Sequence, residues 1–212
     1  MTDDALAAWL RVRGEVPWAA LGAVEAPVAG SRDGAEHHVR TVVQARSRAR
    51  ADGMLAALRL VRRDVREGRD LDFALLARWQ RHVLGAPDVP YRRTDAFAKG
   101  GRERYGVRPR AGFDACMADA RPGDVPVTSR AARAYLDVCF FHPFADGNAR
   151  AALLALVFVL GRDGIVLGRL GPLPVVARRA DDPVAAVELV RLLHILVRQS
   201  GRGVRRPCGS PR

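Results

Sequence analysis

The sequence predicts an all-α fold, a helical bundle that carries one small β-hairpin. Apolar residues recur at helical spacing through much of the chain. The run from Ala151 to Leu160 is apolar on nearly every side, as the central helix of a bundle must be. One stretch, Asp95 to Tyr105, is centred on Gly100-Gly101, a pair suited to a hairpin turn.

Taken in order, residues 4 to 13 read as a short helix. Residues 14 to 33, with Pro17, Pro27 and several glycines, read as irregular. Ala35 to Arg50 and Met54 to Glu67 read as two helices, the second ending near Gly68. Asp70 is the expected N-cap of the next helix, in which Phe73, Leu76, Trp79 and Val83 share a face and which Gly85 ends. Residues 86 to 110 are rich in Pro, Gly and Arg and contain the hairpin. Phe113 to Ala120 is a short helix. Thr128 or Ser129 caps a helix that runs into Phe141, and Asn148 starts the central one. Residues 169 to 179, with Pro172 and Pro174, form a connection. Asp182 as N-cap and Pro183 at the first helical position open a last helix ending before Gly201. The expected organisation is an N-terminal helical region (1–69) on a core (70–200), with a disordered basic tail (201–212).

The length of 212 residues suits one domain with a substantial core. The longest apolar run is too short to span a bilayer, and Met1-Thr2-Asp3-Asp4 is not the start of a signal peptide, so a cytoplasmic protein is expected. Cys116, Cys139 and Cys208 are odd in number and lack metal-type spacing, which argues against a disulfide framework; Cys139 is expected in the core. His37-His38 makes no metal site. The formal net charge of +12 invites a nucleic-acid reading. Arginine supplies all of the 35 basic residues except Lys99, and they are scattered without interleaved aromatics. That pattern fits a compositional bias better than a nucleic-acid surface. His194, on the last helix, reads as a core residue.

The chemistry concentrates in one run, His142-Pro143-Phe144-Ala145-Asp146-Gly147-Asn148-Ala149-Arg150, which lies between two apolar helical segments. Gly147, Asn148 and Ala149 open a helix, and free amides at a helix N-terminus attract anions. Gly147 permits a tight turn and close backbone approach. Asn148 can cap the helix and donate its amide to a phosphate oxygen. Arg150 offers a forked, permanent cation. Asp146 is a hard oxygen ligand for Mg2+, which takes few carboxylates when substrate phosphates complete its shell. His142 can accept a proton at neutral pH. These parts suit transfer of a phosphate-containing group to a hydroxyl.

The run resembles the Fic signature, H-P-F-x-[D/E]-G-N-[G/K]-R, at eight of nine positions if Ala145 is the free one; Ala149 departs. The resemblance extends over residues 70 to 165 through helix order and one hairpin. It implies an all-α Fic-like bundle with a hairpin flap beside the active-site loop. It also implies a protein adenylyltransferase that moves AMP from ATP to a Ser, Thr or Tyr hydroxyl. By position, His142 would be the base, Phe144 the anchor of the loop, and Asp146 the Mg2+ ligand. Gly147, Asn148 and Ala149 would form the anion nest, and Arg150 would contact the outer phosphates. Phe97, Ala98, Lys99, Gly100 and Gly101 would form the flap, which in this family docks the target as an added strand; an ordinary surface hairpin is the alternative.

The longer family pattern has a second Arg three residues after the first, where this chain has Leu153. That substitution keeps two further readings open. One is phosphate transfer of the kind found in the Doc toxins, and the other is a non-catalytic module that binds nucleotide or a partner. The family's inhibitory pattern [S/T]-x-x-x-E-[G/N] has no clean copy here, so restraint by a separate antitoxin is a candidate. The expected partner is a protein bearing a hydroxyl side chain, with no membrane and no nucleic acid.

Overall fold

The computed structural model describes residues 4–98, 100–171, 173–174 and 178–202. Helix α1 (Ala5–Glu15) starts at Asp4, whose carboxylate accepts the Leu6 amide. The segment expected to be irregular contains a short strand, β1 (Val28–Ala29). Helix α2 (Gly34–His38), capped by Asp33, passes through one π turn (Val39–Val43) into α3 (Gln44–Arg46). Ser47 then turns extended and caps α4 (Arg48–Arg66). Helix α5 (Phe73–Leu84) ends at Gly85, which adopts φ +64°.

Two expectations fail in this stretch. The helix break falls at Ser47 and not at 51–53. Gly53 lies inside α4, where an added Cβ would run into the His82 carbonyl of α5. It marks a close helix crossing, so it ends nothing. The cap of α5 is Asp72, which accepts the Leu75 amide at 2.7 Å, while Asp70 pairs with Arg121.

The predicted hairpin is present. Strands β2 (Ala96–Ala98) and β3 (Glu103–Tyr105) pair antiparallel, and Gly100 and Gly101 both take positive φ at the turn. Lys99 lies outside the described residues. Helix α6 (Arg110–Ala118) leads to α7 (Val127–Phe141) and α8 (Asn148–Arg162). Neither expected cap of α7 serves as one. Thr128 and Ser129 sit in its buried first turn, and their hydroxyls donate to the Gly22 and Leu21 carbonyls, tying the N-terminal segment down. After α8, β4 (Ile165–Val166) pairs parallel with β1, Val28 opposite Ile165, an element the sequence pattern did not announce.

Helix α9 (Pro183–Arg202) starts as expected, with Asp182 accepting the Val184 and Ala185 amides. It runs two residues into the expected tail, where Gly201 lies against Val28; residues 203–212 lie outside the described residues.

The core centres on α7 and α8, which share the largest interface. Helices α4 and α5 cover α8, while α1, α6 and α9 cover α7. Burial of most of α8 matches its apolar sequence, and α7 is buried even more completely. Two buried carboxylates of the core are held by indole and guanidinium donors. Asp137 of α7 is fully buried and accepts Trp9 Nε1 and Arg13 Nε, both at 2.8 Å. Asp64 of α4 does the same for Trp79 Nε1 and Arg78 of α5. Each aspartate fixes one helix against another, because leaving it unpaired at that depth would cost several kcal/mol (about 3–5). Among the described residues no helix is long and apolar enough to cross a membrane.

Candidate active site

A cleft of about 730 Å3 opens where α7 ends and α8 begins. Except for Pro143 and Phe144, every residue of the run 142–150 lines it. Its other walls come from α7 (Tyr135, Leu136, Cys139, Phe140), the hairpin (Ala96, Phe97, Glu103, Tyr105), the strand lead-in (Arg92, Thr94) and the segment before α9 (Arg178). Cys139, expected in the core, is instead half-buried on this wall.

Helix α7 ends because His142 turns left-handed, at φ +47° and ψ +59°, the one non-glycine residue with positive φ among the described residues. That conformation costs of order 1–3 kcal/mol and persists only where its surroundings hold it. Here they do. The His142 amide donates back to the Val138 carbonyl, and its own carbonyl accepts Arg92 Nε at 2.6 Å. The ring folds over the last turn of α7 and sets Nδ1 on the Cys139 carbonyl. A carbonyl oxygen only accepts, so Nδ1 carries the proton and Nε2 is left as the basic nitrogen. Tyr105 of β3 stacks on the imidazole at 4.1 Å, and its hydroxyl donates to Glu103. Burial pushes the His142 pKa below the ordinary histidine value; the Cys139 carbonyl and Glu103 pull upward, and Arg92 pushes it down further. The imidazole is therefore neutral at neutral pH.

The loop after His142 is held from below. Phe144 is fully buried and packs on Phe73 of α5 at 5.3 Å. Asn148 closes the loop in both directions: its Oδ1 accepts the Phe144 amide at 3.0 Å and its Nδ2 donates to the Phe144 carbonyl at 2.8 Å. The expectation that this side chain caps α8 is therefore corrected, since its amide shapes the turn. The N-cap is Gly147, and no side chain caps α8. The first-turn amides, those of Asn148 and Ala149 included, head the helix with no side-chain acceptor, the arrangement that binds anions. Gly147 is required twice, for its φ of +76° and because an added Cβ would collide with Gln80. Gln80 in turn is fully buried and donates to the Asp146 carbonyl at 2.8 Å.

Asp146 points outward, its side chain 77% exposed, and meets Arg150 Nη2 at 3.1 Å. The other arm of Arg150 donates to the Val83 carbonyl at the end of α5. Among the described residues no group of three His, Cys, Asp or Glu converges as a preformed metal cage. One exposed carboxylate beside an anion-binding helix end nevertheless fits Mg2+, which commonly arrives with phosphate and keeps several waters. Leu153, at the position of the family's second arginine, is buried in the core and does not line the cleft. Arg178 supplies a second surface guanidinium from another element, lying over the Tyr135 ring at 5.5 Å.

Of the expected flap residues, Phe97 lines the cleft and is 61% exposed. Ala98, Gly100 and Gly101 lie beyond the cleft wall, and Lys99 falls outside the described residues. Among the described residues β2 pairs with β3 alone, so its outer edge is open. Sequence reasoning missed Gln80, Arg92, Tyr105 and Arg178. Each is 36 or more positions from His142 and of an ordinary residue type; a Pro-Tyr-Arg lead-in to a hairpin was the only hint for Arg92. His194, expected in the core, is only partly buried and borders a groove with residues 23–29, away from this site.

Residues 70–160 match the family model described as Fic/DOC family, so the resemblance of the motif is shown for that segment. No curated protein matches the sequence. Among solved structures, the chain is similar to Fic-1 (residues 134–508) from C. elegans, with a TM-score of 0.51 and 19% identity over 94% of this chain and 68% of that one. It is also similar to a Fic domain containing signaling protein from Bacteroides thetaiotaomicron, with a TM-score of 0.43 and 18% identity over 74% of this chain and 62% of that one. At these identities the first likeness shows the fold, a mostly helical Fic architecture with a small two-stranded sheet.

Proposed function

Starting from a Fic/DOC core at residues 70–160, we propose that the chain is a protein adenylyltransferase that moves AMP from ATP to a Ser, Thr or Tyr hydroxyl of another protein. One observation carries the reading. A neutral imidazole, with its Nδ1 proton committed to Cys139 and Nε2 left to accept, shares one cleft with an uncapped helix N-terminus and an exposed carboxylate. In this reading Nε2 of His142 takes the proton from the target hydroxyl. The oxygen attacks the α-phosphorus, the bond from that phosphorus to the pyrophosphate oxygen breaks, and AMP stays on the target while pyrophosphate leaves. The amides of Asn148 and Ala149 and the guanidinium of Arg150 hold phosphate oxygens. Asp146 would hold Mg2+, which neutralises phosphate charge when bound. Arg150 then exchanges its Asp146 partner for phosphate. The open edge of β2, with Phe97 beside it, suits a target segment added as a strand.

Transfer of the terminal phosphate is the second reading, favoured by one observation. With Leu153 buried, Arg150 is the single arginine of α8 in the cleft, so the donor's orientation is set by fewer contacts. Labelled ATP separates the two. With Mg2+ and a cell lysate, label from the α-phosphate reaches protein with the wild type and is lost in His142→Ala. Label that arrives only from the γ-phosphate identifies phosphate transfer. Nucleotide binding that survives His142→Ala, with no transfer by either protein, would identify a binding module and sink both readings.

A further inference from the structure

We infer that Arg92 is a positioning residue which couples the hairpin to the catalytic loop through main-chain carbonyls. This inference rests on the reading of His142 as the base.

Arg92 is buried, and it gives four of its five side-chain N–H donors to backbone carbonyls. Its Nε donates to the His142 carbonyl at 2.6 Å. Its Nη2 donates to the Phe141 and Gly106 carbonyls, both at 2.8 Å, and its Nη1 to the Thr94 carbonyl at 2.5 Å. Its own amide donates to the Pro143 carbonyl at 3.0 Å. Phe141 and His142 are the last carbonyls of α7, which a cation satisfies well because the helix dipole is negative there. Thr94 precedes β2 and Gly106 follows β3. One rigid fork therefore joins both stems of the hairpin to the strained residue that ends α7. Lysine could not do this, since its single nitrogen cannot reach four carbonyls in a plane.

Two features extend the coupling to the ring. Tyr105, at the end of β3 next to Gly106, stacks on the imidazole, so the hairpin touches both the main chain and the side chain of His142. Among the described residues no carboxylate forms an ion pair with Arg92, although Asp95 and Asp4 act on its charge without touching it, so part of that charge is felt at His142. The other groups around the imidazole are Glu103 and Tyr105 from β3, Cys139 from α7, and Asp146 with Arg150 across the cleft. Addition of a target strand to β2 would thereby be felt at the base.

The test reads the imidazole and the backbone directly, without turnover. The histidine ring nitrogens of the full chain are followed by NMR through a pH titration, with His142 assigned from the spectrum of His142→Gln. Amide exchange is measured in β2, β3, His142 and Phe144. In Arg92→Met the His142 titration midpoint is expected to rise by about one pH unit, because a nearby positive charge and some burial are both lost. Hairpin amides and those of His142 and Phe144 are expected to exchange faster together, by about tenfold or more. In Arg92→Lys, which keeps the charge and loses the fork, the midpoint stays near that of the wild type while exchange still accelerates. An unchanged midpoint in a folded Arg92→Met overturns the inference, as does a hairpin that loosens while His142 and Phe144 do not. If Arg92→Met does not fold, the exchange pattern of Arg92→Lys decides alone. The coupling can hold while no nucleotide label is transferred, which would count against the adenylyltransferase reading only. Transfer with no coupling would count against Arg92 only.

Discussion

Both ends of α7 are held by a buried arginine, and the two arginines are used differently. At the N-terminal end Arg130 donates to the Val125 and Ala120 carbonyls and forms a 2.6 Å ion pair with Asp163. At the C-terminal end Arg92 meets carbonyls alone. A neutralised arginine braces the helix and leaves little field behind. An arginine without a carboxylate braces it equally well and leaves a positive potential at the residue beside it. Burial chiefly, and that potential in addition, keep His142 deprotonated. The same side chain thus serves stability at one end and chemistry at the other, and the partner it lacks makes the difference.

The largest expected effect separates the two ends. Arg130→Met leaves Asp163 without its partner and is expected to lower stability by about 3 kcal/mol, read by urea unfolding. It is expected to leave the His142 titration where it is. A midpoint that moved as far as in Arg92→Met would erase the distinction. Gly147→Ala should come next, since it forces a Cβ into a left-handed position that Gln80 already crowds. A stability loss of about 1–3 kcal/mol and at least tenfold weaker nucleotide binding by calorimetry are expected. Normal binding would show that the nest tolerates a shifted turn. Asn148→Ala removes both bonds to Phe144 and is expected to cost about 1–3 kcal/mol, with the melting temperature as the readout.

The pH dependence sharpens the comparison further. On the proposed reading the neutral form of His142 is the active one; with its pKa depressed, kcat/KM should stay flat through neutrality and decline only below about 6.5. Stability follows the same sign. Below the unfolded histidine value the unfolded chain binds more protons than the folded one at this position, so stability falls as pH falls through that window. A rate that already declines from pH 8 to 7 would contradict the depressed value. Arg178→Ala should have the smallest effect, a KM for nucleotide raised about fivefold or less with kcat kept, because a surface cation contributes little.

The candidate site was legible in sequence where its parts are contiguous. The run 142–150 carries its own base, carboxylate and helix start, and the structure gathers them around one cleft. What holds that run in place was not legible. Gln80, Arg92 and Tyr105 arrive from α5, the lead-in and β3, and apart from the Pro-Tyr-Arg lead-in nothing local to them signals a site. The helices were readable from periodicity, but their ends depended on tertiary contacts. A break was expected between Arg50 and Met54, where Gly53 is instead a crossing point, while Ser47 broke the chain without any glycine or proline. Thr128 and Ser129 looked like caps, yet α7 is buried at its start and their hydroxyls found distant carbonyls instead. The β1–β4 pair spans only two residues per strand, too short for any alternation to show.

The two-way bond between Asn148 and Phe144 bears on the speed of the protein as well as its shape. A loop already closed on itself surrenders no further freedom when an anion arrives, so little ordering entropy opposes binding. Association can then approach the encounter rate, without waiting for a rearrangement of the cradle. Motion on binding is left to the parts that are not closed, namely the exposed Asp146 carboxylate with its Arg150 partner and the hairpin that Arg92 ties to His142.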